Sequence, residues 1–131
     1  MRRQYHFRPG ARDVDAWDVH RLIRLSADLP VVSVAVAELR DVDTAYRALP
    51  GTGQPTVRDV VAHLRLVLDA DLSYPVILGS DDRVMDGMHR IARALLEGRS
   101  EIAAVRFPVD PEPDHRGVRP HELPYDAVPE D

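Results

Sequence analysis

Apolar residues recur along this chain at two spacings, and the switch between them marks its elements. From Asp15 to about Ala27, Val19, Leu22, Ile23 and Leu25 fall at helical intervals, with Asp13 or Asp15 placed to cap the helix and Pro30 to stop it. Val31–Val36 then alternates as a strand, with Val32, Val34 and Val36 on one face. Residues 38–49 support two readings. Leu39, Val42, Tyr46 and Leu49 share a helical face, which predicts a helix, while Asp41 and Asp43 suit a turn equally well. Gly51–Pro55 is a loop.

The clearest helix follows. Thr56 stands three residues before Asp59, a capping-box start, and Val57, Val60, Val61, Leu64, Val67 and Leu68 then hold the i, i+3, i+4, i+7 rule. The pattern predicts a helix over 56–69 that buries Val57, Val60, Val61, Leu64 and Leu68 and exposes Arg58, His63 and Arg65. Pro75-Val76-Ile77-Leu78 reads as a strand, Ser80-Asp81-Asp82 as a turn and Arg83-Val84-Met85 as a returning strand. Asp86-Gly87 opens a helix whose buried stripe is Met88, Ile91, Ala92, Leu95 and Leu96, with Gly98 at its C-terminal cap. Ile102–Phe107 closes the series as a strand with Val105 and Phe107 on one side. No internal repeat is visible.

Length and composition narrow the possibilities. The chain has 131 residues, one domain's worth, and its 44% apolar content excludes wholesale disorder. The absence of Cys excludes disulfides, thiolate metal sites and Cys nucleophiles. All 17 basic residues are Arg, so no Lys can form a Schiff base or serve a P-loop. No apolar run approaches the roughly 20 residues that span a bilayer, and no apolar segment follows the basic MRRQYHFRPGARD as a secretory signal requires. The expectation is a soluble cytoplasmic protein with no membrane partner. A net charge of −5 also argues against nucleic acid as a partner, because phosphates need neutralising.

Charge is unevenly placed. Residues 1–12 carry four Arg and no acid, while residues 110–131 carry seven acids against two Arg. The basic arm is expected to fold onto the domain's own acidic surface, with a partner-binding arm as the alternative. From Pro108 onward, six of the 11 prolines lie among acids. This composition predicts a single domain over 1–109 and a flexible or surface-hugging tail over 110–131.

Candidate chemistry concentrates in Asp86-Gly87-Met88-His89-Arg90, with Arg93 one turn after His89. A strand running through a glycine into a helix presents unpaired N–H groups and partial positive charge to an anion. His89 and Arg90 lie in that first turn, where cations oppose the helix dipole unless an anion is bound. The bland alternative is solvated arginines pairing with Glu97 and an exposed His89. His20, His63 and His89 show no local metal-ligand spacing, so no metal site is expected. Trp17 and Tyr46 read as packing residues, and Gly51-Thr52-Gly53 is too short for a phosphate loop.

Pro75–Leu78, then Val84-Met85-Asp86-Gly87-Met88-His89-Arg90-Ile91-Ala92 with the helix to Gly98, then Ile102-Ala103-Ala104-Val105, resembles the ParB/sulfiredoxin superfamily and its D-G-x-H-R-x-x-A turn and helix. The likeness extends over about 31–107, with Val32–Leu39 similar to the first strand and Thr56–Asp69 to the helix before the second. The resemblance implies an α/β (α+β) domain, with a small mixed sheet flanked by helices and an extra N-terminal helix. It also implies a nucleotide ligand (ATP, ADP or CTP) with Mg²⁺ bridging its phosphates. By position, Gly87 is the close-approach glycine, His89 and Arg90 the phosphate pair, and Asp86 the acid before the glycine. Met88 stands where sulfiredoxins carry their catalytic Cys, which excludes that activity. No helix-turn-helix follows, so chromosome partitioning is not expected. An enzyme of this kind would move a phosphoryl group to a small molecule, with Asp43 or Asp86 as base and Asp41 the second analogue of Asp43. The competing class is a non-catalytic interaction or regulatory module with a protein partner.

Overall fold

In the computed structural model, which describes residues 3–44 and 54–125, the chain opens with two strands, Tyr5–Pro9 (β1) and Val14–Asp18 (β2). Helix Val19–Ser26 (α1), strand Val32–Ala35 (β3) and two 3₁₀ turns, Val36–Glu38 and Arg40–Asp43, come next. Helix Val57–Leu68 (α2), strands Val76–Leu78 (β4) and Val84–Asp86 (β5), and helix Met88–Leu96 (α3) lead to strands Glu101–Arg106 (β6) and His115–Val118 (β7). The α/β class is as expected, but there are two sheets. One is mixed and four-stranded in the order β3-β6-β4-β5, with β4 and β6 parallel; the other is antiparallel in the order β1-β2-β7.

Both faces of the four-stranded sheet are covered. Val76, Leu78, Val84, Ile102 and Ala104 point to one side, where they meet Val36, Leu39, Ile91 and Ala94. Ile77, Met85, Val105 and Phe107 point to the other and meet Trp17 and Leu22. Strands buried on both faces read as continuous apolar runs, as 76–78 and 102–105 do. Trp17 is thus a core residue, 6% exposed, with its Nε1–H donated to Pro111 O at 2.7 Å.

The N-terminal helix is shorter than its periodicity predicts. It starts at Val19, capped by Asp18, whose carboxylate accepts the His20 N–H at 2.9 Å; neither Asp13 nor Asp15 is the cap. Residues 14–18 are drawn into β2 by pairing with Tyr5–Pro9 on one side and His115–Val118 on the other. Asp13 turns that hairpin with φ +43°. The proline-rich segment after Phe107 therefore runs back along the N-terminal sheet and supplies its third strand, and Leu123 beyond it is buried. Prolines donate no backbone N–H but keep their carbonyls, which suits a strap that accepts from Trp17.

The uneven charge closes on itself. Arg3 pairs with Asp18, Arg8 with Asp110 at 3.0 Å and Arg21 with Asp114 at 3.2 Å. Burial beside Arg8 pushes His6 down to about 4, and its Nε2 accepts the Arg8 Nε–H at 3.0 Å, so the ring sits neutral.

Two expected elements change. Over 38–44, 3₁₀ turns replace the predicted helix, because Asp41 is committed to the Val84 N–H, 2.9 Å away on β5. The rest of that predicted helix, including Tyr46 and Leu49, lies outside the described residues, as do Gly51-Thr52-Gly53 and residues 126–131. Helix α2 has the expected Thr56–Asp59 capping box, but its apolar face is not buried. Val57, Val60, Val61, Leu64 and Leu68 are 41–82% exposed, and only Val67 is buried. The side turned toward the domain carries Asp59, His63 and Val67, spaced by four, because α3 offers it a polar rather than an apolar surface. In α3, Ile91 and Ala94 form the buried stripe with Met88 partly buried beside them, while Leu95 and Leu96 are 52% and 65% exposed.

Candidate functional site

The start of α3 is built by a glycine with two constraints. Gly87 takes φ +117°, and a Cβ there would lie 2.6 Å from Val76 Cγ1 on β4. Only glycine lets β5 turn into α3 this close to the sheet. The close approach made by Gly87 is thus to Val76. Gly87 is also the helix's N-cap and offers no side-chain acceptor, and no acid lies in the first turn. Helices α1 and α2 differ, with α1 capped by Asp18 and α2 by Thr56 and Asp59.

The two arginines of the motif are held by main chain. Arg90 Nη1 donates to Tyr74 O at 3.1 Å and Pro75 O at 2.8 Å, and its Nη2 meets Asp86 Oδ2 at 2.9 Å. Arg90 therefore clamps the entry of β4 onto the end of β5. Arg93 Nη1 donates to Leu68 O at 2.6 Å and Ala70 O at 2.7 Å, closing the C-terminus of α2, where a cation also meets the helix dipole favourably. Its Nε reaches Glu97 at 3.4 Å. Asp86 is mostly buried, and burial raises its pKa against the opposing pull of Arg90. The Met88 side chain packs toward the core, which leaves its backbone N–H as the group it can offer a ligand.

His89 is the motif residue left facing its neighbours with a free hand. Its ring lies 5.1 Å from that of His63 on α2, tilted by 56°. Burial, then the nearby His63, lowers its pKa below 6.5, with Asp86 pulling the other way. His63 is the residue that sequence reasoning placed on an exposed polar side. Its spacing of four from Asp59 and Val67 was the available signal for the inward face.

Other expected members stand apart. Asp43 is exposed at the end of the second 3₁₀ turn, and among the described residues no contact joins it to Asp86, His89 or Arg90. His20 sits on α1, and among the described residues no three His, Cys, Asp or Glu side chains are grouped to hold a metal. An open cleft of about 690 Å³ lies at the other end of α3, lined by Asp69, Asp71, Ser73, Arg93, Glu97 and Arg99 among others. Its three acids against two arginines do not suit an anion.

Compared with known proteins, the chain matches no family model, no curated protein and no solved structure. No described helix is long and apolar enough to cross a membrane.

Proposed function

We propose that this protein binds the phosphate of a small molecule, in the first instance a nucleotide such as ATP, ADP or CTP, at the start of α3. The observation that carries the proposal is the contrast among helix ends. Of the three α-helices among the described residues, α3 alone begins without a side-chain cap, and the imidazoles of His89 and His63 meet beside it. First-turn N–H groups without intrahelical acceptors, the partial positive charge of the helix end and imidazole N–H donors together favour an anion. Asp86 does not oppose this strongly, since Arg90 neutralises it at 2.9 Å. The resemblance of Asp86–Arg90 to the superfamily's phosphate turn points the same way.

In this reading His89 touches the phosphate from α3 and His63 from α2. Arg90 acts as a positioning residue that fixes the turn. A bound phosphate opposes the burial that lowers the His89 pKa, so that pKa rises on binding. Mg²⁺ usually takes one or two protein carboxylates together with ligand phosphates. Asp86 is the carboxylate that the turn itself carries, and it is already engaged by Arg90. Phosphoryl transfer needs a base facing the ligand, and Asp43, exposed and without a bond to Asp86, His89 or Arg90 among the described residues, favours binding over catalysis. The non-catalytic interaction reading has its own support in the uncovered apolar face of α2.

The test is a thermal-shift series with ATP, ADP, CTP and inorganic phosphate, with and without Mg²⁺. Ligand at 100 times its Kd adds about 2.7 kcal/mol of stability. The expected result is stabilisation that His89→Gln removes while the unliganded melt stays put. Absence of any shift at millimolar nucleotide overturns the reading.

A further inference from the structure

We infer that α2 is a self-association surface, on which a second copy of this chain packs its own α2 in antiparallel fashion.

Val57, Val60, Val61, Leu64 and Leu68 form one stripe along the whole helix, and their exposures run from 41% at Val60 to 82% at Val57. The helix spans about 18 Å at ~1.5 Å per residue, so the stripe is continuous over roughly three turns. A capping box fixes its first turn and Arg93 its last carbonyls, so the stripe rides on a well-defined element. Single exposed apolar residues need no explanation, but a helix face made of them marks a contact surface.

Charge selects the occupant. At 100° per residue, Arg58 and Asp69 project from the same flank of the stripe, one at each end. Both are exposed, and neither has an ion-pair partner among the described residues. A two-fold axis perpendicular to a pair of antiparallel helices brings like flanks together with their ends reversed. Arg58 of one copy then faces Asp69 of the other, twice over. Arg65, on the same flank near the middle, falls opposite Ala62 and meets no like charge. A parallel pair, whose two-fold axis runs along the helices, would instead set this flank against the opposite one of the partner. That is the side of His63 and Val67, already turned toward the domain, and Arg58 and Asp69 would be left unmatched. His63 lies on another side of α2, so pairing leaves the start of α3 open, and failure of either proposal leaves the other standing.

One helix pair buries less than the roughly 800 Å² per partner of a standard interface, so the dimer should be weak, with a micromolar Kd. Sedimentation velocity of the full chain over about 1–500 µM reads it directly. The expected result is a concentration-dependent dimer that Leu64→Asp abolishes with an unchanged melt at low concentration. Arg58→Glu sets two like-charge contacts across the axis and should weaken association about 10-fold. The double variant Arg58→Glu/Asp69→Arg should restore it, which no merely sticky patch would do. A monomer at every concentration overturns the inference, as does a dimer indifferent to Leu64→Asp or a charge swap that fails to rescue.

Discussion

Helices α2 and α3 carry similar amphipathic patterns, yet α3 seats Ile91 and Ala94 from its apolar stripe in the core, while the stripe of α2 stays exposed beside the one buried Val67. The crossover from β4 through β5 and α3 to the parallel strand β6 obliges α3 to lie over the sheet, where Ile91 and Ala94 are at most 1% exposed. No such pairing constrains α2. It leans on α3 through His63 and the Arg93 bonds to its last carbonyls, and its stripe faces outward. Amphipathicity reports that a helix has a face to bury. Chain topology decides whether the partner comes from the same molecule.

The sharpest way to break this comparison is to truncate each helix at its most apolar point. Ile91→Ala removes a side chain locked between β4 and β6 and should cost about 2–5 kcal/mol in urea unfolding. A cost below about 1 kcal/mol would place α3 as loosely as α2.

Next in size is Arg90→Ala, which tests whether the start of α3 is clamped. Loss of the bonds to Tyr74 O, Pro75 O and Asp86 should cost about 1.5–3 kcal/mol. The pH dependence carries a sign. Burial already holds the Asp86 pKa above the usual carboxylate value, and Arg90 is the main opposing influence. Without Arg90 that folded-state pKa rises further, so the penalty is present above it and fades as pH falls through it. The destabilisation should thus shrink between about pH 7 and pH 4. An unchanged cost across that range would mean that the lost carbonyl bonds account for all of it.

Arg93→Ala separates the two helices more gently. It leaves the carbonyls of Leu68 and Ala70 without their cation and should cost about 1 kcal/mol. Hydrogen exchange should quicken across α2 while the amides of α3 keep their protection. Equal quickening in both would show that they open as one unit.

The difference between the two helices also explains what could be read from the sequence. The run β4–β5–α3–β6 is local, with its partners inside about 30 residues, and period and turn residues report it faithfully. Gly87 and Gly98 announce their roles through position alone, the latter with φ +71° and an Arg99 N–H to Ala94 O bond of 2.9 Å. The β1-β2-β7 sheet is invisible to the same reasoning, because Val14 pairs with Val118 across the length of the chain and both outer strands are rich in polar residues. The orientation of α2 is hidden for a related reason. Its inward line of Asp59, His63 and Val67 mixes a carboxylate, an imidazole and one apolar group, and a count of apolar residues points to the opposite choice. At the site, the motif located the turn and named His89, but it could not show that Arg90 and Arg93 serve backbone carbonyls or that His63 stands beside His89.

The smallest effect is expected at Leu64, and it discriminates most finely between an open stripe and a covered one. Leu64 is 49% exposed, so truncation removes little buried surface and leaves no cavity. Alanine is also the better helix former, which offsets part of the lost contact. Leu64→Ala should therefore change stability by less than about 0.5 kcal/mol in dilute protein, against about 1 kcal/mol or more for the smaller truncation Val67→Ala on the inward face. The order is the reverse of what side-chain size alone gives. At high concentration the Leu64 variant should fall behind the parent, because association stabilises only the chain that dimerises, and the gap should grow with the logarithm of concentration. A cost of 2 kcal/mol or more in dilute protein would instead show the stripe covered by the chain itself. Helix α2 would then be a core helix like α3, and the contrast between them would disappear.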